Sequence, residues 1–245
     1  MAKSWVSRSI EALSELVWRS PCALCDRPSQ SQGLCGACDR KLVATQFPAD
    51  RRWSTIDQGL PLLAWGLYDG ALKRAIATLK YDGQTKLAMA LGYGLGRMWL
   101  EPGPAGPIAA TVQRLQRESP LVIPIPLHEN RQRDRGFNQA ELLAVSFCDV
   151  AGLPLARSGL RRVRDTQAQF ALKGGDRAAN VRDAFAIDPS LLRQRSRSVI
   201  LVDDIYTSGA TVRSATERLQ GAGWPVAAVI VAARSATRGR GRTET

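Results

Sequence analysis

The apolar positions of this 245-residue chain follow two patterns, one helical and one of short continuous runs. Helical periodicity predicts five amphipathic helices, at 5–18, 71–80, 87–100, 139–151 and 211–222. Continuous apolar runs predict four strands, at 121–125, 184–187, 198–202 and 226–232. A run without alternation is typical of a strand that is buried on both faces of a parallel sheet.

The order of these elements predicts the fold class. From Leu121 onward strands and helices alternate, which favours an α/β fold with a mainly parallel, doubly wound sheet. A linker is predicted at Arg51 to Pro61, between a small N-terminal module (residues 1–50) and the α/β domain (residues 62–245). The basic residues at 234–245 are predicted to form a flexible tail.

The most informative stretch is the apolar run Val199–Val202 with the loop that follows it. The loop places hydroxyl groups around one glycine: Thr207, Ser208, Gly209, Ala210 and Thr211. It lies between a strand end and a helix start, where α/β sheets bind ligands and where the first helical N–H groups have no partner. We therefore predict a site for a phosphate monoester. The alternative is an ordinary strand-to-helix turn whose Asp and Thr residues cap the helix.

Two adjacent acids, Asp203 and Asp204, directly precede this loop. A carboxylate beside a phosphate would repel it, so we expect the acids a few ångströms away. There they accept hydrogen bonds from vicinal ribose hydroxyls or help to hold Mg²⁺. The stretch contains neither the Gly-Lys-Ser/Thr of a Walker A loop nor a G-x-G-x-x-G dinucleotide fingerprint.

Four cysteines near the N-terminus form two C-x₂-C pairs that are separated by nine residues: Cys22, Cys25, Cys35 and Cys38. This spacing predicts a closed, structural Zn²⁺ site, with two disulfides or four unrelated thiols as the alternatives. The start of the chain lacks the apolar core of a secretory segment, so we expect a reducing cytoplasmic location, which favours metal. The fifth cysteine, Cys148, lies in an apolar helical pattern and is predicted to be in the core.

The charge balance is strongly basic, with 34 Lys and Arg against 22 Asp and Glu and a formal net charge of +12. The segment from Arg131 to Arg197 alone holds 13 basic and 7 acidic residues. Such a charge attracts polyanions such as nucleic acid, and a solvated surface explains it equally well. No apolar run is long enough to span a bilayer, so we expect no membrane insertion. For the single histidine, His128, we expect a surface or loop-stabilising role.

Six sequence features in this order resemble the ComF/GntX family of bacterial phosphoribosyltransferase-like proteins, which is linked to DNA uptake in natural transformation. They are the cysteine pairs, residues 77–83 (ATLKYDG), 123–127 (IPIPL) with 135–139 (RGFNQ), 166–169 (TQAQ), 177–180 (RAAN) with 184–185 (AF), and 199–211. The resemblance covers nearly the whole chain. It implies the type I phosphoribosyltransferase fold and binding of phosphoribosyl pyrophosphate (PRPP) together with Mg²⁺.

The resemblance also implies roles for individual residues. Asp203 and Asp204 become the catalytic acids, and the hydroxyl loop binds the 5-phosphate. The strand exit at Pro124 to Leu127 becomes the pyrophosphate loop. Residues 161–180 match the mobile loop that closes over PRPP in this fold. The cations expected to contact PRPP are Arg131, Arg135 and Lys80.

Two functions follow as hypotheses. In the first, the protein is a cytoplasmic DNA-uptake factor that binds PRPP and single-stranded DNA and works with DNA-uptake or helicase proteins. In the second, it is an enzyme that transfers ribose phosphate to a small, nucleobase-like acceptor in salvage or modification. We favour the first because the second leaves the zinc module and the basic excess without a use.

Overall fold

A computed structural model of the chain describes residues 21–29, 33–164, 184–192 and 198–236. The predicted helix at 5–18, most of the predicted mobile loop and the predicted tail from residue 237 onward lie outside these ranges. The helices are α1 Gly36–Val43, α2 Gly70–Tyr81, α3 Lys86–Leu100, α4 Ala109–Glu118, α5 Glu129–Arg135, α6 Gln139–Ala151, α7 Pro189–Leu192 and α8 Ala210–Gly221. The strands are β1 Trp53–Ile56, β2 Leu60–Leu67, β3 Leu121–Pro124, β4 Leu160–Arg162, β5 Phe185–Ile187, β6 Val199–Tyr206 and β7 Val226–Arg234.

The central sheet has five strands in the order β1-β2-β7-β6-β3. Strands β2, β7, β6 and β3 are parallel, and β1 adds an antiparallel edge to β2. In the register Val202 of β6 lies between Ile230 of β7 and Pro124 of β3. The prediction of an α/β fold with a mainly parallel sheet is therefore confirmed, and the carboxyl ends of β3, β6 and β7 meet at one edge.

The predicted linker at Arg51 to Pro61 is wrong. Residues 53–56 form β1 and Asp57–Gly59 a 3₁₀ turn, so this segment is part of the sheet. The reason is local burial, because Trp53 is only 7% exposed and its ring lies 6.1 Å from that of Trp99. The polar residues of this segment favoured a linker, although Trp53 anchors the segment in the core.

Strand β5 forms near its predicted position but does not enter the central sheet. It pairs antiparallel with β4, in a separate two-stranded ribbon. Residues 160–162, predicted as part of a basic loop, form β4, in which Leu160 is buried and Arg161 is exposed. The guanidinium of Arg162 lies 5.6 Å from the centre of the Phe185 ring, so a cation of β4 covers an aromatic side chain of β5.

The two faces of the sheet carry separate apolar cores. On one face α2, α3 and α6 contribute residues such as Leu72, Leu91 and Phe147. On the other face α8 contributes Val212 and Leu219, together with residues of β5. The cysteine segment joins the first core, because Cys22, Cys35 and Leu42 belong to the same buried cluster. Cys148 is 6% exposed in that core, as predicted.

Helices α3 and α6 pack at very short range through glycine. A Cβ atom on Gly92 would lie 2.5 Å from the carbonyl oxygen of Leu143, and one on Gly96 would lie 2.6 Å from the Val150 side chain. Only glycine fits at this backbone contact. Among the described residues, no helix is both long and apolar enough to cross a membrane.

Candidate functional site

The four N-terminal cysteines lie together in one cluster. The cluster is formed by a knuckle at Cys22–Cys25 and by the start of α1, where Cys35 precedes the helix and Cys38 lies in its first turn. All four sulfur atoms lie within 4.8 Å of one another, and the Sγ atoms of Cys25 and Cys35 are 3.6 Å apart. None of the five cysteines is in a disulfide. The clustering agrees with the predicted metal site and not with the two alternatives, two disulfides or four unrelated thiols.

The donor set fits zinc. With a Zn–S bond of about 2.3 Å, tetrahedral geometry places sulfur atoms about 3.8 Å apart, close to the separation found here. Hydrogen bonding from the backbone N–H of Cys38 lowers the pKa of Cys35 to about 6, which favours the thiolate that a metal requires. Burial raises the pKa of Cys38 to about 12 in the absence of a metal charge. All four sulfurs would be used, so the site has no open coordination position.

The hydroxyl loop joins β6 to α8. Thr207 and Ser208 are exposed, and Gly209 is the residue immediately before the helix. Gly209 has φ of 74°, and a Cβ atom there would lie 2.4 Å from the Tyr206 hydroxyl oxygen. Its left-handed conformation turns the chain into α8, and the Ala210 N–H that opens the helix donates to the Ser208 hydroxyl at 3.5 Å. The loop is open and polar, as an anion site requires.

The acid pair lies inside β6, because the strand continues to Tyr206 and does not end at Val202 as predicted. Backbone pairing holds Asp203 opposite Val231 of β7, which explains the extension. Asp204 is 5% exposed, and its carboxylate forms an ion pair with the Lys80 ammonium of α2. The side chain of Asp203 accepts a hydrogen bond from the Asp204 N–H at 2.8 Å.

The environment of the acids disfavours a second negative charge. Burial, together with the neighbouring Asp204 carboxylate, raises the pKa of Asp203 well above its ordinary value. Lys80 supplies the positive charge that keeps Asp204 compensated in the interior. Asp204 and Lys80, predicted separately from the sequence, are therefore brought into direct contact.

The strand exit after β3 carries the two predicted arginines. Arg131 and Arg135 lie one turn apart on α5, a helix that was not among the predicted elements. Both are partly buried, and the Arg135 guanidinium donates to the Gln139 side chain.

His128 precedes α5, and its Nδ1 accepts from the Asn130 N–H at 3.4 Å, in agreement with the predicted loop-stabilising role. The side-chain amide of Asn138 donates to the Ile125 carbonyl at 3.1 Å and so holds the backbone where the chain leaves β3.

Sequence reasoning missed several residues that support the hydroxyl loop. The Arg213 guanidinium pairs with Asp57 of the 3₁₀ turn and lies 3.4 Å from the Ser208 carbonyl oxygen. Arg234 ends the neighbouring strand, with its guanidinium 4.6 Å from the centre of the Phe47 ring. The sequence signal for Arg234 was its position as the first charge after the apolar run of β7.

Helix α2 touches both candidate sites. The Arg74 guanidinium donates to the Leu24 carbonyl at 2.8 Å, inside the first cysteine knuckle. Six residues later, about 9 Å along the helix axis, Lys80 contacts Asp204. The cysteine cluster and the acid pair are thus connected through one helix.

Comparison with known proteins gives three informative relatives, while no family model matches the chain. Competence protein F of Haemophilus influenzae is 27% identical over 207 residues, which cover 81% of this chain and 83% of that protein. DNA utilization protein YhgH of Salmonella typhimurium is 26% identical over 88% of this chain and 89% of its own length. Competence protein ComFC of Bacillus subtilis is 25% identical over 81% of this chain and 70% of its own length.

Proposed function

The chain belongs to the ComF family, and on that premise we propose that it is a PRPP-binding, phosphoribosyltransferase-like protein of natural transformation that handles single-stranded DNA. The names of the relatives support a role in competence and DNA use. The type I phosphoribosyltransferase fold is part of this proposal, and the strand order and the strand–loop–helix unit are compatible with it.

The observation that carries the proposal is the open hydroxyl loop beside a buried acid pair. Thr207 and Ser208 offer exposed hydroxyls at the start of α8, which suits a terminal phosphate. Asp203 and Asp204 lie in β6 and are separated from the loop by Ile205 and Tyr206, a position that suits contact with the hydroxyls of the attached ribose. Keeping carboxylates buried in a sheet costs stability, and a ligand whose hydroxyls donate hydrogen bonds to them gives this cost a functional reason.

The chemistry that this arrangement supports is binding and orientation of a sugar phosphate. The loop holds the phosphate, the acids orient the ribose, and the arginines of α5 attract the pyrophosphate. Mg²⁺, when bound with PRPP, neutralises part of the pyrophosphate charge. Lys80 forms an ion pair with Asp204 and supplies a positive charge beside the acids. The cysteine cluster takes no part in this chemistry and stabilises the fold as a zinc site.

A direct test is titration of PRPP and Mg²⁺ by calorimetry. We expect saturable binding to the parent and none to the double variant Asp203→Asn with Asp204→Asn, because each substitution removes the carboxylate charge and replaces one acceptor oxygen with an NH₂ donor. Circular dichroism of the variant is expected to match that of the parent. Equal affinity of the two proteins, with unchanged dichroism, would show that the acids do not contact the ribose.

The DNA part of the proposal is tested by fluorescence anisotropy with a labelled single-stranded oligonucleotide. If basic residues contact the phosphate backbone, the affinity does not depend on sequence, and the logarithmic salt slope is roughly −0.7 per contacted phosphate. Replacing Arg161, Arg162 and Arg164 together with Ala should make the slope shallower, because these residues lie on or directly after β4. PRPP binding without any anisotropy change at low salt would favour the alternative, a transferase with a small-molecule acceptor.

A further inference from the structure

The hydroxyl loop opens sideways into a groove that a sugar phosphate does not fill. The groove has a volume of about 680 Å³ and runs from the loop towards β1. Thr207 and Ser208 form its wall on the loop side, and Ser54 and Thr55 form its wall on β1. Arg234 and the two residues that follow it close the end above β7. A phosphate seated on the loop would therefore have space on the side away from the acids.

The groove lining is suited to a nucleoside. Ile56, Leu62 and Tyr206 offer apolar and aromatic surface, while the hydroxyls of Ser54, Thr55 and Ser235 offer hydrogen bonds. The Ser54 hydroxyl oxygen is buried and has no hydrogen-bond partner within the described chain. A ligand group that reached this oxygen would satisfy it.

The charges in the groove point to the same ligand class. Arg234 is the cation of the groove, and the nearby carboxylate of Asp57 is already paired with Arg213. Among the described residues that line the groove, a second free phosphate would find one cation, Arg234, whereas a base and a sugar need no charge. The phosphate would occupy the loop, with one ester bond towards the acids and the other towards the groove.

We propose that the hydroxyl loop accepts a phosphodiester of single-stranded DNA, with one nucleoside on the acid side and the preceding nucleoside in the groove lined by Ser54, Thr55 and Arg234. This inference rests on the proposed function, because it assumes that the loop binds the phosphate of a sugar phosphate. It adds that PRPP and DNA share this phosphate position. Their binding is then mutually exclusive, and the loop becomes the point where the small ligand controls access of the strand.

The experiment is a competition measured by anisotropy with a 5′-fluorescein-labelled oligothymidylate. Ribose 5-phosphate is the competitor, because it fits the loop and lacks the part that would enter the groove. Ionic strength is held constant with sodium chloride, since DNA affinity depends on salt. We expect ribose 5-phosphate to displace the oligonucleotide and to raise its apparent Kd in proportion to the competitor concentration.

Variants in the groove separate the two ligands. Thr55 is exposed on β1, so Thr55→Trp fills the groove with a residue that strands tolerate. It should weaken oligonucleotide binding roughly tenfold, the loss of about one base contact, and leave the affinity for ribose 5-phosphate unchanged. Gln113→Trp places the same ring on the exposed surface of α4, outside the groove, and is the matched control. Ser54→Ala removes a hydroxyl from the groove, and we expect it to weaken oligonucleotide binding less than Thr55→Trp does. Thermal melts verify that all variants fold.

The outcomes distinguish this inference from the proposed function. If ribose 5-phosphate and PRPP bind but saturating ribose 5-phosphate leaves the oligonucleotide bound, the shared phosphate position is wrong and PRPP binding stands. An unchanged oligonucleotide affinity in a folded Thr55→Trp protein also overturns the groove assignment. If neither sugar phosphate binds, the proposed function fails first, and the inference falls with it.

Discussion

At the residue scale, the acid pair is the least ordinary feature of the chain. Asp203 and Asp204 follow an apolar run within one strand, and Lys80 forms an ion pair with Asp204. Their burial costs free energy that substitution should recover. The sequence predicted these three residues as a site, but the contact between Lys80 and Asp204 could not be predicted, because it depends on how α2 crosses the sheet.

The raised pKa of Asp203 predicts how stability depends on pH. Between the unfolded pKa of about 3.9 and the higher folded pKa, the native protein retains a proton that the unfolded chain has released. The contribution of Asp203 to the free energy of unfolding therefore falls as pH rises through this range. We expect Asp203→Asn to match the Tm of the parent near pH 3 and to exceed it increasingly towards pH 7. Asp50→Asn, at an exposed position, controls for the substitution, and a pH-independent difference in Tm would contradict the prediction.

At the element scale, segments with a clear local apolar pattern were predicted, including the short strands β3 and β5, whereas β1, β2, β4 and α4 were not. Helix α6 was predicted with its observed bounds, Gln139–Ala151, because its apolar face and the Asn138 cap are local in sequence. Strand β2 was missed because Pro61 and Gly66 interrupt its apolar run. The extension of β6 through two acids depends on pairing with β7, which local propensity does not report.

The glycine contact between α3 and α6 gives a test at this scale. Gly92→Ala forces a methyl group against the backbone of Leu143, so we expect a loss of about 1–3 kcal/mol in the free energy of unfolding. Gly221→Ala, at the end of α8 with no atom near the new Cβ, should instead be neutral or stabilise by up to about 1 kcal/mol. Urea denaturation measures both. Equal effects would mean that helix propensity, and not the close packing, determines the outcome at residue 92.

At the scale of the whole molecule, the cysteine cluster is built into a core that it shares with the sheet. Cys22 and Cys35 pack with Leu72 and Ile76 of α2 in one buried cluster. The sequence predicted the ligand set from spacing alone, since two C-x₂-C pairs are a local pattern. It did not predict this packing, because a contact between distant segments leaves no periodic signal.

We therefore predict one Zn²⁺ per chain, which is lost in the double variant Cys35→Ser with Cys38→Ser. Elemental analysis of protein purified under reducing conditions measures the stoichiometry. Because the cluster shares the main core, the variant should unfold at a lower temperature in a single calorimetric transition. Cys148→Ser, which changes a buried thiol outside the cluster, is the control for metal content. A metal content near zero in the parent would rule out the zinc site.

The connection made by α2 has a thermodynamic consequence. One helix is fixed to the cysteine knuckle through Arg74 and to the acid pair through Lys80. Two ligands that bias the position of the same element are linked, and linkage is reciprocal. If zinc increases the affinity for PRPP by some factor, PRPP increases the affinity for zinc by the same factor. At a low cellular concentration of PRPP, this protein would then also bind zinc less tightly.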